Sequence, residues 1–488
     1  MPQRILHFIF LKCSTIKYRK IYFLNAMPHP LRLLPDSKEK WLAYVDTCHP
    51  KKIDLGIARV KRVATRLGVL NFSCPVITIA GTNGKGSCVE LIKAILVAAR
   101  YRVGTYTSPH LLDYNERIQI EGAPVSDAAL CEAFEQIENV RNDITLTYFE
   151  FGTLAALWLF KKTQLDAIIL EVGLGGRLDA VNCVDADIAV ISTVDFDHMD
   201  WLGNTRELIA KEKAGIMRPN KPCVFGDHVL PHAIYTQAAR LNSVLYLQGQ
   251  TFTYKKKRYS WSWQNQQHTL NHLPLPSIDL QNAATVLQVI ELLSKQFIIP
   301  RTAIDNGLKQ VFLPGRFQII QTKSTRIILD VAHNPAGGRC LARRLEPTTG
   351  ASYAIVGMLA DKDISNTLLP LVAHIDYWYL ANIESPRAAT AEQLNQCLLS
   401  IAPTASVLTF SSPIMAYRKA CQMAKTGDRL LVFGSFHTVG PVLQEIYTHS
   451  NGIFGKAPAK ASNLRSLMVH EDCEPSSNTA KNSSAKSI

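Results

Sequence analysis

A glycine-rich segment containing one lysine carries the strongest chemical signal of the chain. Residues 80–87 read AGTNGKGS, directly after the apolar run Val76–Ala80 and directly before a segment with helical spacing of apolar residues. Glycines let backbone N–H groups point at phosphate oxygens, and a helix start adds positive partial charge. Lys85 can neutralise the charge of β- and γ-phosphates, while the Ser87 hydroxyl can reach a Mg²⁺ ion. The segment predicts a nucleotide site that includes Thr82, Asn83, Gly84, Lys85, Gly86 and Ser87.

The spacing of this loop differs from the common form G-x-x-x-x-G-K-[ST], because Gly86 separates Lys85 from Ser87. An ordinary glycine-rich turn between a strand and a helix is the alternative interpretation. A lysine between two glycines at a helix start has little structural use, so the nucleotide interpretation is favoured.

Short apolar runs alternate with helical patterns along the chain, which is typical of parallel α/β sheets. In the first part, the predicted strands are Val76–Ala80, Ala167–Val172, Ile188–Thr193 and Pro222–Gly226, and the predicted helices are Lys85–Arg100, Thr153–Lys162 and Thr205–Met217. The polar stretch Tyr254–His272 predicts a hairpin. In the second part, the predicted strands are Arg326–Val331, Tyr353–Met358, Tyr377–Ala381, Ser406–Phe410 and Arg429–Phe433.

This organisation predicts an α/β fold with a parallel-sheet, ATP-binding domain followed by a smaller, Rossmann-like α/β domain. The boundary is expected near Pro300, since the helical pattern Asn282–Lys295 ends there. The expected ranges are a basic extension at 1–30, the two domains at 31–298 and 299–450, and a disordered tail at 451–488. A cleft between two domains is a common place for ligands.

Composition narrows the class of protein. The 488 residues carry a formal net charge of +13, but the basic residues are dispersed and no nucleic-acid-binding motif appears, so neither nucleic acid nor a membrane is the expected partner. A surplus of lysine and arginine also suits polyanionic ligands such as ATP. The 11 cysteines are scattered without metal-ligand spacing, which favours reduced thiols in the cytoplasm over a zinc site or a disulfide framework.

The first 35 residues contain no Asp or Glu and several Lys and Arg. A transit peptide has this composition, and so does sequence upstream of a true start codon. We favour the second interpretation, with Met27 as the start, because Met27 precedes the first sequence typical of a folded domain.

Several further motifs resemble the folate branch of the Mur ligase superfamily, the bacterial dihydrofolate synthases/folylpolyglutamate synthases. Besides the loop, these motifs are TSPHL at 107–111, LTYFEF at 146–151, EVGLGGRLD at 171–179, DHMDWLG at 197–203, KEKAGI at 211–216, LPGRF at 313–317 and DVAHNP at 330–335. The resemblance runs in one order from about Trp41 to about Tyr447. Several motifs in a single order are far more specific than any one of them.

The resemblance implies an ATP-dependent ligase that makes amide bonds through an acyl phosphate. Its substrates would be ATP, L-glutamate, dihydropteroate and reduced folates, and the protein would act as a monomer. A monofunctional folylpolyglutamate synthase or another Mur-type amide ligase remains an alternative, although the chain ahead of Gly81 is too short for the extra domain of the peptidoglycan enzymes. A nucleic-acid-stimulated ATPase is the alternative from a different class.

The resemblance also implies residue roles. Two Mg²⁺ ions are expected, with Ser87, Ser108, Glu171 and His198 as metal ligands. Lys213 is expected to be carbamylated by CO₂ and, with Lys85 and His198, to serve catalysis. The expected nucleotide contacts beyond the loop are Asn282, Arg316, Asp330 and His333.

For the pterin acid, the resemblance implies a pocket of Asp54, Leu55, Gly56, Ile57, Thr147, Tyr148, Phe149, Glu150 and Leu178. Aromatic side chains in this set can stack on a flat pterin, although ordinary core packing would look the same in the sequence. For the incoming glutamate, Lys362, Ser435 and His437 are the candidates.

Overall fold

The computed structural model describes residues 34–322 and 324–450. The predicted N-terminal extension and C-terminal tail lie outside the described residues. The strands are β1 (Val76–Ala80), β2 (Val103–Tyr106), β3 (Ile118–Ile120), β4 (Ala123–Pro124), β5 (Ala167–Glu171), β6 (Ile188–Ile191), β7 (Cys223–Phe225), β8 (Leu245–Leu247), β9 (Phe252–Lys256), β10 (Trp261–Asn265), β11 (Thr269–Leu273), β12 (Gln318–Gln321), β13 (Arg326–Asp330), β14 (Ser352–Val356), β15 (Tyr377–Ala381), β16 (Ser406–Phe410) and β17 (Arg429–Phe433).

The α-helices are α1 (Lys38–Thr47), α2 (Ala58–Leu67), α3 (Lys85–Ala98), α4 (Asp127–Arg141), α5 (Tyr148–Lys162), α6 (Met199–Leu202), α7 (Arg206–Ala214), α8 (His232–Leu241), α9 (Leu280–Leu293), α10 (Arg301–Gln310), α11 (Pro335–Arg344), α12 (Ile364–Leu368), α13 (Ala391–Ile401), α14 (Pro413–Met423) and α15 (Phe436–Ser450). Short 3₁₀ helices cover Tyr114–Arg117, Ala180–Cys183 and Leu369–His374. None of the described helices is long and apolar enough to cross a membrane.

The first sheet has the strand order β4-β3-β2-β5-β1-β6-β7-β8. Its strands from β2 to β8 run parallel, and β3 and β4 add an antiparallel edge. β1 and β5 are buried along their whole length, as expected for central strands covered on both faces. Since the carboxyl ends of parallel strands meet at one edge, the segments after β1, β2, β5 and β6 come together there.

The second sheet has the order β12-β13-β17-β14-β15-β16. All pairs are parallel except β12 with β13. One face packs against α11, α12 and α13, and the other against α14 and α15. The sequence predicted the five parallel strands of this sheet, each followed by a helix, and the structure confirms them within one residue at the start and two at the end.

The helix α10, which follows Pro300, packs under the first sheet. Ile304 and Leu308 of α10 share a core with Ile95 of α3 under the first sheet. A Cβ added at Gly307 would stand 2.4 Å from Cγ1 of Ile95, so the two helices touch backbone to side chain. The chain therefore stays with the first sheet through α10 and reaches the second sheet only at β12.

The predicted two-stranded hairpin at Tyr254–His272 has one strand more than expected. The segment forms a three-stranded antiparallel sheet in the order β11-β10-β9. Trp261 and Trp263 alternate with polar residues on β10, and both are buried against α9. Their indole N–H groups donate to carbonyl oxygens of Pro274 and Ala284 at 2.9 and 3.1 Å, which satisfies the polar end of each ring.

Several predicted element ends also shift, and contacts explain two of these shifts. α5 begins at Tyr148 and not at Thr153, because Thr147 and Glu150 form a reciprocal capping box at its start. β6 ends at Ile191 and not at Thr193, because its partner β1 ends at Ala80, opposite Ile191. The side chains of Ser192 and Thr193 bond to the glycine-rich loop that follows β1.

Candidate active site

The glycine-rich loop is held in shape by the strand next to it. The backbone N–H of Asn83 donates to Oγ1 of Thr193 at 3.0 Å, and the Ser192 hydroxyl donates to the carbonyl oxygen of Asn83 at 2.6 Å. Gly84, directly before the first residue of α3, has a φ of +85°. A residue with a Cβ adopts this backbone conformation only with strain. The free N–H groups for a phosphate therefore come from the first turn of α3, after Asn83.

Lys85 lies inside this loop. Its Nζ donates to the carbonyl oxygens of Gly81 and Thr82 at 2.9 and 3.2 Å. Burial lowers the pKa of this lysine, while the charge of Glu171 acts in the opposite direction. A triphosphate beside the loop would supply the negative charge that the buried ammonium requires.

Glu171 stands at the end of β5, beside the loop. Its Oε2 accepts a hydrogen bond from the backbone N–H of Ser108 at 3.1 Å, across a distance of 63 residues in sequence. A Cβ added at Gly86 would stand 3.6 and 3.8 Å from the two carboxylate oxygens, which measures how closely Glu171 approaches the loop. Burial raises the pKa of Glu171, and the charge of Lys85 opposes this. A cation at this point would favour its ionised form.

The expected metal ligands Ser87, Ser108, Glu171 and His198 all line one cavity, which we call the inner cavity. Among the residues that the structure describes, no three His, Cys, Asp or Glu side chains form a metal-holding group by themselves. One carboxylate, one imidazole and two hydroxyls would leave an ion to complete its coordination with phosphate oxygens and water, which is the usual habit of Mg²⁺. The residues present therefore fit Mg²⁺ that arrives with a triphosphate.

His198 and Lys213 complete this side of the inner cavity. Burial lowers the pKa of His198 to about 4, so the ring is neutral and has a nitrogen lone pair free for a cation at neutral pH. Lys213 is 2% exposed, and burial together with the charge of Lys85 lowers its pKa to about 7. A neutral amine is the form of lysine that can react with CO₂.

The second sheet contributes the opposite wall of the inner cavity, whose volume is about 220 Å³. The expected nucleotide contacts Asn282, Arg316, Asp330 and His333 all lie in this lining. A Cβ added at Gly84 would stand 2.4 Å from Oδ1 of Asn282, so the start of α9 lies against the loop. The structure thus brings together every nucleotide and metal residue that the sequence predicted.

Asp330 and Arg316 are fixed by their surroundings. Both carboxylate oxygens of Asp330 accept backbone hydrogen bonds at 2.8 Å, from Phe317 and Ala332. Burial raises the pKa of Asp330, and the guanidinium of Arg316 opposes this. The guanidinium also lies 5.0 Å from the ring centre of Phe436, which orients its planar fork.

A second and larger space, the outer cleft, has a volume of about 1630 Å³ and shares Asp197 and His198 with the inner cavity. Its lining includes Lys362 and His437, two of the three residues expected to hold glutamate. The third, Ser435, is 5% exposed, and its Oγ accepts a hydrogen bond from the N–H of His437. The structure therefore places Ser435 behind His437 as its support.

The residues expected to bind the pterin acid lie around the start of α5. Glu150 accepts a hydrogen bond from the backbone N–H of Thr147 at 2.7 Å and pairs with Arg59 at 3.0 Å. Arg59 also pairs with Asp54. Arg59 thus neutralises the charges of Glu150 and Asp54 within the protein. These two residues would therefore shape and support a pocket and would not pair with the charge of a ligand.

Backbone contacts bring the rest of that set together. The N–H of Gly56 donates to the carbonyl oxygen of Leu178 at 3.1 Å, so Leu55–Ile57 lie against the loop after β5. A Cβ added at Gly173 would stand 2.6 Å from Cζ of Phe149, so the far edge of this ring packs on that same loop. Tyr148 lines the outer cleft. The set surrounds one region between the end of β5 and the outer cleft.

Family models match both halves of the chain. Residues 79–272 match the Mur ligase middle domain, and residues 315–436 match the Mur ligase glutamate ligase domain. The dihydrofolate synthase/folylpolyglutamate synthase of Escherichia coli (strain K12) is 45% identical over 414 residues, which cover 84% of this chain and 96% of that protein. The chain belongs to the dihydrofolate synthase/folylpolyglutamate synthase family.

Solved structures of this family have the same fold. Escherichia coli FolC in complex with DHPP and ADP has a TM-score of 0.81 at 45% identity, over 85% of this chain and 98% of that chain. A bifunctional folylpolyglutamate synthase/dihydrofolate synthase with Mn, AMPPNP and L-glutamate bound has a TM-score of 0.78 at 45% identity, over 84% and 98%.

Sequence reasoning assigned no role to Asp197, which lines both spaces, or to Asn334, which lines the outer cleft. Asp197 pairs with Lys362 at 2.6 Å, and burial opposes its ionisation. The hydrogen bond from His333 and the nearby positive charges outweigh burial and lower the pKa of Asp197 well below its usual range. Both residues occupy family motifs, but only the folded chain shows that they meet.

Proposed function

We propose that this chain is an ATP-dependent ligase that adds L-glutamate to dihydropteroate and to tetrahydrofolate through an acyl phosphate. The observation that supports this best is the inner cavity. It combines a phosphate loop, a buried Glu171 and two second-sheet residues, Arg316 and Asp330, and it opens to a cleft large enough for a second substrate. Family members bind the same classes of molecule, namely ADP or AMPPNP, DHPP and L-glutamate.

ATP would bind with its phosphates over the first turn of α3. The N–H groups of Lys85, Gly86 and Ser87 have no intrahelical acceptor in that turn and can donate to phosphate oxygens. Asn282 lies against the loop on the adenine side, and Asp330 faces the ribose from the second sheet.

Mg²⁺ held by Ser87, Ser108, Glu171 and His198 would neutralise phosphate charge. The structure also supports a carbamate on Lys213, because the amine is buried and has its pKa near neutrality. A carbamate would replace a cation near Lys85 with an anion, which would relieve the repulsion between the two lysines and offer oxygens to a second ion.

The first chemical step is attack of the pteroate carboxylate on the γ-phosphorus. The O–P bond to ADP breaks, and a mixed anhydride forms between the substrate acid and phosphate. Lys85 and Arg316 face the phosphoryl oxygens from opposite walls and stabilise the charge that spreads over them.

The second step is attack of the glutamate α-amino group on the activated carbonyl carbon. A tetrahedral intermediate forms, phosphate leaves with the C–O bond electrons, and the amine loses its proton. Lys362 and His437, which line the outer cleft, would bind the glutamate carboxylates. Closure of the cleft over the substrates would exclude water, which would otherwise hydrolyse the anhydride.

We further propose that the two sheets are two domains and that the second begins near Phe312. This is supported by the core that α10 shares with α3 and by the start of β12 at Gln318. We also propose that the protein acts in the cytoplasm as a monomer.

The test is phosphate release from ATP in the presence of L-glutamate, with dihydropteroate, tetrahydrofolate or neither. The proposal expects release, and a new amide product, with each pterin acid and little release without one. Turnover with tetrahydrofolate alone would identify a monofunctional folylpolyglutamate synthase. Release that depends on DNA or RNA and ignores glutamate would contradict the proposal.

A further inference from the structure

Two asparagine side chains join the phosphate loop to the second sheet. Nδ2 of Asn83 donates to Oδ1 of Asn334 at 3.0 Å, and Nδ2 of Asn334 donates to Oδ1 of Asn83 at 3.1 Å. The residues are 251 positions apart in the sequence. A reciprocal pair of this kind needs both amides in one relative orientation.

The orientation of Asn334 is fixed by two other partners. Its Oδ1 accepts the backbone N–H of Gly337 at 2.8 Å and so caps the start of α11. Its Nδ2 donates to Oδ2 of Asp197 at 3.0 Å. A carboxylate can only accept and an N–H can only donate, so both contacts require the same placement of the amide.

Asp197 extends this chain of contacts to the outer cleft. Its Oδ1 accepts a hydrogen bond from Nζ of Lys362 at 2.6 Å. The side chains of Asp197 and Lys362 are 8% and 5% exposed, and Asn334 is 2% exposed. Hydrogen bonds to charged groups are stronger than neutral ones, and their loss in a buried place is costly.

We propose that Asn334 is a positioning residue that holds the phosphate loop and Lys362 in register. Through Asn83 it fixes the loop that receives ATP, and through Asp197 it fixes the lysine that faces the glutamate cleft. The inference rests on the proposed function and goes beyond it, because Asn334 is assigned a role through its contacts with Asn83 and Asp197. It predicts that ATP and glutamate binding are coupled through this one amide.

The test variant is Asn334→Asp, with Asn334→Ser as a second variant. Both residues are good helix N-caps, so the start of α11 keeps its acceptor. Asn334→Asp removes the two Nδ2 donations and turns a negative charge toward Asp197. The matched control is Asn242→Asp, which changes a surface amide pair with Asn220 far from both spaces.

Steady-state KM values for ATP, L-glutamate and dihydropteroate, and kcat, are measured for each variant, together with Tm. The proposal expects KM for ATP and KM for glutamate to rise together by about 10- to 100-fold in Asn334→Asp, with dihydropteroate KM changed by less than about 3-fold. Asn334→Ser shows the same split with a smaller loss, and Asn242→Asp resembles the unmodified protein.

Wild-type values for Asn334→Asp would overturn the proposal. An equal loss for all three substrates with a lowered Tm would overturn it too, because that result marks damage to the fold. The unmodified protein is assayed alongside, and its activity separates a failure of the proposed function from a failure of the proposed coupling. If it makes no amide at all, the proposed function fails. If it is active and Asn334→Asp matches it, only the coupling fails.

Discussion

Lys85 and Gly81 are joined across the phosphate loop by a hydrogen bond of 2.9 Å from Nζ to the carbonyl oxygen. The ammonium group of Lys85 is thus held against the backbone of the loop. Its positive charge lies beside the place where phosphate oxygens would bind. The fold therefore preorganises this charge before ATP arrives, which is how electrostatic stabilisation avoids a cost of rearrangement during the reaction.

Lys85→Met should abolish most turnover while leaving the fold intact. Methionine keeps much of the length of the side chain but removes the charge that faces the transferred phosphoryl group. We expect kcat to fall by about 10²- to 10³-fold, as for the loss of one strong donor to a developing charge. Phosphate release under saturating substrates measures it.

The control is Lys161→Met. Nζ of Lys161 also donates to a backbone carbonyl, that of Asn71 at 2.7 Å, but it lies on the exposed end of α5. Its turnover should equal that of the unmodified protein. Unchanged kcat in Lys85→Met would remove the loop from the account.

Glu171→Gln should weaken divalent metal binding in the presence of ATP. The substitution keeps the acceptor for the N–H of Ser108 but removes the anionic oxygen. We expect the affinity for Mn²⁺ to fall by at least about 10-fold, because one charged ligand is replaced by a neutral one. Electron paramagnetic resonance of free Mn²⁺ in the presence of a non-hydrolysable ATP analogue measures this affinity.

Glu291→Gln serves as the comparison, since Glu291 bonds His268 far from the inner cavity. Its Mn²⁺ affinity should be that of the unmodified protein. Equal affinity in Glu171→Gln would show that the ion binds elsewhere.

Carbamylation of Lys213 should depend on pH with a defined sign. The neutral amine reacts with CO₂, and the pKa of about 7 means that the neutral fraction rises as pH increases through neutrality. At fixed dissolved CO₂, a ¹³C carbamate signal should therefore grow between about pH 6 and about pH 8. In Lys213→Ala, the signal should vanish, and short carboxylic acids should restore part of the activity.

Lys211→Ala is the matched variant, because Lys211 lies on the same helix with its side chain exposed. It should keep both the signal and the activity. A signal that survives in Lys213→Ala, or activity there that ignores added carboxylates, would contradict the carbamate.

Gly307→Val should destabilise the protein. A Cβ at this position would stand 2.9 Å from the Cα of Ile95, so α10 and α3 would have to separate. We expect the free energy of unfolding to fall by about 1–3 kcal/mol, the usual cost of overpacking. Denaturant unfolding measures it, and Asn306→Ala on the exposed face of α10 is the control. Equal stability of the two variants would argue against the shared core.

The strands of the second sheet could be predicted from sequence because they are short, apolar and separated by helical patterns. The edge strand β12 was missed, since the sequence Gln-Ile-Ile-Gln at 318–321 alternates weakly and pairs only at the edge. The position of α10 could not be predicted, because its helical pattern is the same whichever sheet it covers. The core that Ile304 and Leu308 share with Ile95, and the approach of Gly307 to Ile95, decide that question.

Most of the predicted residues of the inner cavity lie in family motifs, which mark them one by one; Asn282 lies outside the motifs. The connections between these residues could not be predicted, since spacing along the chain carries no information about pairs such as Asn83 and Asn334. The start of α5 was different. The sequence contains the capping pattern that starts this helix, namely Thr147 followed three residues later by Glu150. These two residues were interpreted only as part of a ligand pocket.

The most direct measurement of the central claim follows oxygen from the pterin acid into phosphate. Dihydropteroate labelled with ¹⁸O in its carboxylate is turned over with ATP and L-glutamate, and the phosphate released is analysed by mass spectrometry. An acyl phosphate predicts one ¹⁸O atom in each phosphate molecule, because the C–O bond breaks when the amine attacks. Phosphate that carries no label while amide is formed would contradict the account.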